Sequence, residues 1–255
     1  MILSLWRYLI TDPWREADDR YLPDSRRYRG LAVTICVTAA LILTLIHFFG
    51  YGPTFRQLKW FRLRGPYAPG SYWVYWSGFR LFAYVLLPVL AVRFFTPISI
   101  REMGIQFKGW SRHWLLYLGL FFLVLPPVIA VSFMPEFVRT YPFFKMAGRS
   151  VEMFIFWELF YALQFFALEF FFRGFMIHTL KYAVGAAAVP IMVIPYCMIH
   201  FPKPLPECLG SIVAGLVLGM LSLKTGRIWG GVLIHVAVAV TMDVLALVHQ
   251  GILFS

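Results

Sequence analysis

LAVTICVTAALILTLIHFF, residues 31–49, carries no charge, and no charged residue falls anywhere between Gly30 and Thr54. About 20 apolar residues in α-helix cross a hydrocarbon core about 30 Å thick, at ~1.5 Å of rise per residue. Lipid offers the backbone no hydrogen-bond partners, so a helix is the form such a stretch must take. Residues 31–49 therefore read as a first membrane span. Working outward, similar apolar stretches predict helices at 72–95, 114–133, 151–180, 186–201, 208–223 and 228–248. Pro126 and Pro127 should bend the third. Ser150, an N-cap type, with Glu152 in the first turn opens the fourth. The fold class is all-α: a polytopic transmembrane helix bundle of about seven helices. Residues 1–30 form a polar N-terminal arm, 31–149 the N-terminal transmembrane helices, and 150–250 the part where the chemistry concentrates. No internal repeat or linker interrupts this order.

Composition agrees. Of 255 residues 60% are hydrophobic and only 14% charged, against about 25% charged in soluble domains. The net charge of +11 is spread over the N-terminus and short connections instead of forming one stripe. It fits charges flanking a membrane and anionic headgroups as electrostatic partners, with no nucleic acid. Lys and Arg over the connections favour a cytoplasmic N-terminus. Arg7 and the acids from Asp12 onward interrupt the opening apolar stretch before a cleavable signal can form. Residues 3–10, with Trp6 and Tyr8, read as an interfacial anchor. Cys36, Cys197 and Cys208 read as packing residues, since their spacing forms neither a disulfide framework nor a structural zinc motif.

Ionisable groups inside membrane helices are costly and mark function by default. The fourth helix holds Glu158, Glu169 and Arg173 among Phe, Leu and Ala. Glu158 and Glu169 differ by about 20° in helical phase and share a face, while Glu169 and Arg173 can pair directly at i,i+4. Such a pair could serve only to hold helices together. His200 and His235, pointing inward from two other helices, turn the reading toward a site. Plainer roles suit the rest. Arg80 reaches headgroups by snorkelling; His47, His113 and His249 lie near helix ends; His178 meets headgroups; Glu207 complements a helix dipole. In helix six, Ser211, Gly215 and Gly219 form a small-residue face that permits close helix approach.

Three motifs resemble those of the CPBP intramembrane endopeptidases, the family of the CAAX prenyl proteases and their bacterial homologues. Glu169-Phe-Phe-Phe-Arg173-Gly174 is similar to Glu-Glu-x-x-x-Arg followed by Gly. Tyr196-Cys-Met-Ile-His200 is similar to Phe-x-x-x-His, and His235 with its helix to His-x-x-x-Asn. Their order and intervals fit over about residues 150–247. The resemblance implies a glutamate-type peptidase core at 150–250 in a bacterial cytoplasmic membrane, acting on a membrane-associated protein or peptide. Its catalytic set would be Glu169, His200, His235 and Arg173, with Glu158, Tyr196 and Asp243 as auxiliary candidates. No cofactor is implied. Zinc held by Glu169, His200 and His235 is the alternative, although His-Glu-x-x-His is absent. The sequence departs from the family at Leu168, where the first of the paired glutamates stands, and at Ala239, where Asn stands. Those departures support an alternative function: a non-catalytic member that binds substrates or partners an active protease.

Overall fold

The computed structural model describes residues 2–254, without the side chains of Ile2 and Leu3. The chain is an all-α polytopic membrane protein with no strand among those residues. Its principal helices are α1 (Asp12–Tyr21), α2 (Arg29–Phe49), α3 (Ser71–Leu81), α4 (Leu87–Phe95), α5 (Trp114–Ser132), α6 (Val151–Glu169), α7 (His178–Val184), α8 (Ala188–Met198), α9 (Leu205–Thr225) and α10 (Trp229–Gln250). Six continuous helical runs are long and apolar enough to cross a membrane: Ser4–Phe49, Gly65–Phe95, Trp110–Ser132, Val151–Met198, Leu205–Thr225 and Trp229–Gln250.

Seven expected spans occupy six runs because Val151–Met198 contains two of them. They part at Gly185, whose φ is +58°, a conformation open to glycine at no Cβ penalty. A Cβ there would lie 2.2 Å from Asp18 Oδ1, and that same oxygen accepts from the Ala186 N–H at 2.8 Å. The polar arm thus supplies a cap for the turn into α8. It is itself helical, buries Leu9 and Ala17, and accepts at the Tyr8 carbonyl from Lys224 Nζ at 3.0 Å.

The chain divides into two compact units, and each division falls inside a helical run. The first unit comprises the chain up to Ile42, Tyr84–Trp114 and Leu168–Gly231. Within it α8 and α9 lie close. A Cβ on Gly215 would sit 3.0 Å from Val193 Cγ2, and one on Gly219 would sit 2.8 Å from Val189 Cγ1. The small-residue face of helix six does what its spacing predicts. His178 does not meet headgroups: it is buried, with Nε2 3.0 Å from Ser222 Oγ and Nδ1 3.1 Å from Lys181 Nζ. An ammonium only donates, so Nδ1 accepts and Nε2–H faces the hydroxyl.

The second unit comprises Leu43–Ala83, Leu115–Ala167 and the chain from Val232. Its core is aromatic, built on Trp76, Phe144, Trp157, Tyr161 and Phe165 with Ala239 among them. Arg80 is buried here instead of snorkelling. Its guanidinium lies 4.0 Å over the Trp76 ring, with Nη1 3.3 Å from the Trp76 carbonyl and 3.5 Å from that of Gly50. A tryptophan one turn earlier and a carbonyl just past the end of α2 solvate the charge within the protein.

Candidate active site

Glu169 ends α6, and the backbone then runs as π-helix over Phe170–Ile177 before α7. Segments of this kind are rare and concentrate at functional sites. Glu169 and Arg173 are both 0% exposed, and Arg173 Nη1 lies 3.0 Å from Glu169 Oε1. In so apolar a setting neither charge could remain without the other.

Two further contacts fix this pair. The Arg173 guanidinium lies 4.2 Å over the Tyr196 ring, a cation–π arrangement strengthened by the absence of water. On the other side, a Cβ placed on Gly231 would meet Glu169 Oε2 at 2.3 Å. The carboxylate therefore abuts backbone in the first turn of α10, where the helix end carries partial positive charge.

Tyr196 carries the arrangement onward. Its ring meets the His200 ring edge-on with centroids 4.8 Å apart, and its carbonyl lies 2.7 Å from His200 Nδ1. A carbonyl can only accept, so Nδ1 bears the proton and the basic lone pair belongs to Nε2. His200 follows the end of α8, where last-turn carbonyls lack helical partners. The local fold thereby selects the tautomer. Glu169, Arg173, Tyr196 and His200 form one connected string of contacts in the first unit, and Leu168 is buried beside Glu169 in sequence.

The remaining expected residues belong to the second unit. His235 is half-buried, its ring 4.4 Å from that of Phe165. Asp243 is fully buried and accepts from Trp157 Nε1 at 2.5 Å. Glu158 adjoins Asp243. Ala239 belongs to the aromatic core. Among the described residues no three His, Cys, Asp or Glu side chains group as metal ligands within one unit.

Sequence reasoning missed Gly231 and Trp157. The glycine doublet Gly230-Gly231 at the start of a membrane helix was the available signal for the first, and a tryptophan next to Glu158 for the second.

Residues 150–241 match the family model described as type II CAAX prenyl endopeptidase Rce1-like. That stretch contains Glu158, Glu169, Arg173, Tyr196, His200 and His235, and stops short of Asp243. No curated protein and no solved structure matches the chain. Over residues 150–241, which hold the Glu169–Arg173 pair and both histidines in order, this membrane protein is similar to the CPBP, CAAX-protease-like family.

Proposed function

We propose that the chain is a glutamate-type intramembrane endopeptidase that cleaves a membrane-associated protein or peptide by an activated water, without a metal. The observation that carries this reading is the buried string Glu169–Arg173–Tyr196–His200. Peptide hydrolysis needs a base for water, donors for the tetrahedral oxyanion and an acid for the leaving amine. Glu169 and His200 Nε2 hold the water and take its proton, and Arg173 orients the Glu169 carboxylate. The proton then passes to the amine as the carbon–nitrogen bond breaks. His235, from the third motif, is the oxyanion donor.

The test is reconstitution in liposomes with a library of membrane-anchored peptides, read by mass spectrometry. Glu169→Gln, His200→Ala and His235→Ala should each lower cleavage by about 10²–10⁴-fold at unchanged abundance. Full activity in Glu169→Gln would refute the assignment.

A second reading, a non-catalytic member that binds substrates or partners a protease, is favoured by Leu168 and Ala239, both buried. If the parent protein is inert and Leu168→Glu gains cleavage, the site is dormant and the second reading holds.

A further inference from the structure

Cys197 and Cys208, expected as packing residues, face each other. The reason lies in helical phase. On α9, Cys208 shares a face with Gly215 and Gly219 to within about 20°, and those glycines bring α9 against Val189 and Val193 of α8. Cys197 continues the same α8 stripe, one turn beyond Val193. Where the two helices meet their connection, the sulfurs lie 4.0 Å apart, and the Cys197 thiol points to the Cys208 carbonyl at 3.9 Å.

Neither thiol is fully buried. They lie at the end of one run long and apolar enough to cross a membrane and near the start of the next. Cys36 differs, lying within the long apolar helix α2. Between the two cysteines runs the connection that holds His200. It contains Pro202, Pro204 and Pro206 and is already tied by the Lys203 N–H to the His200 carbonyl at 2.9 Å and by a Lys203–Glu207 ion pair.

We propose that Cys197 and Cys208 are a reversible thiol–disulfide site that stiffens the His200 connection when oxidised. The oxidant is a low-molecular-weight disulfide of the glutathione type. One protein thiolate attacks it, forming a mixed disulfide and expelling one small thiolate. The other protein thiolate attacks the protein sulfur of that mixed disulfide and expels the second. Two protein thiols lose two electrons and two protons, and the small disulfide becomes two thiols. Closing the bond, about 2.05 Å long, draws in the end of α8, which holds Tyr196 and leads into His200. Resting on the peptidase reading, oxidation then moves His200 out of register with Glu169 and lowers cleavage.

The experiment uses the full-length Cys36→Ser protein in detergent, treated with glutathione disulfide. Intact mass should fall by two hydrogens with no adduct retained, and peptide mapping should link residues 197 and 208. Cys197→Ser and Cys208→Ser should each stop at one glutathione adduct. Hydrogen exchange over 199–207 should slow by about tenfold on oxidation and recover with reductant. Two stable adducts on the Cys36→Ser protein, no change in its mass, or unaltered exchange after linkage would each overturn the proposal. Mass and exchange decide it whether or not any peptide is cleaved, so failure of the peptidase reading is seen separately in the liposome assay.

Discussion

Replacing Arg173 by Met removes the charge while keeping much of the side-chain volume. Glu169 then stays 0% exposed, without the guanidinium that lay 3.0 Å away. Breaking a buried ion pair at one partner costs about 3–5 kcal/mol, because the charge left behind has lost its compensation. The contact with Tyr196 adds to the loss, since a desolvated cation–π pair contributes about 2 kcal/mol, part of which a thioether against the ring retains. For a total of about 3–7 kcal/mol, at ~2–4 °C per kcal/mol for a chain of this size, Arg173→Met should lower the thermal midpoint by about 6–28 °C. The double variant Glu169→Leu/Arg173→Met should recover most of that, since apolar replacement of both partners is neutral or stabilising. The assay is thermal unfolding in detergent over the four corners of the double-mutant cycle, with cleavage measured on the same samples. A coupling energy below about 1 kcal/mol would refute the claim that these two charges are held by each other. A recovered midpoint with cleavage still absent separates the chemical role of Glu169 from its part in stability.

Gly231→Ala places a Cβ 2.3 Å from Glu169 Oε2; the carboxylate must move, and cleavage should fall about 10–100-fold. Gly210→Ala, where a Cβ meets nothing within 4 Å, should leave it unchanged in the same assay. Trp157→Phe removes the donor at 2.5 Å from Asp243 and should cost about 1.5–3 kcal/mol, read as a lower thermal midpoint at preserved helicity. On the metal-free reading, prolonged treatment with a chelator should leave cleavage intact; abolition by the chelator with restoration by zinc would make it wrong.

The membrane helices could be read from the sequence because charge-free stretches of spanning length have one stable form in lipid. The Glu169–Arg173 pair was equally open to reading, since four-residue spacing brings its partners together locally. What escaped depended on contacts far apart in the chain. Arg80 looked like a snorkelling residue because its Gly50 carbonyl lies 30 residues away. His178 resembled an interfacial histidine until Ser222, 44 residues on, closed over it. The Gly231 contact with Glu169 comes from another helix altogether. The cysteine pair is an intermediate case. Its spacing carries no motif, yet phase arithmetic from Gly215 and Gly219 would have placed both thiols on the facing stripes.

The two departures from the family pattern have different physical settings. Ala239 sits among Trp76, Trp157, Tyr161 and Phe165, where an amide with no partner would be costly to bury. One turn further along α10, Asp243 is buried as well but takes a hydrogen bond from Trp157, and Glu158 adjoins it. On α10 the buried polar group is therefore Asp243, and one turn before it Ala239 packs in the aromatic core. Leu168 shows no such shift. The carboxylate next to it in sequence keeps its guanidinium, its place against α10 and the tyrosine that leads to His200. These surroundings are why the proposed peptidase reading assigns water activation to Glu169 and not to its neighbour.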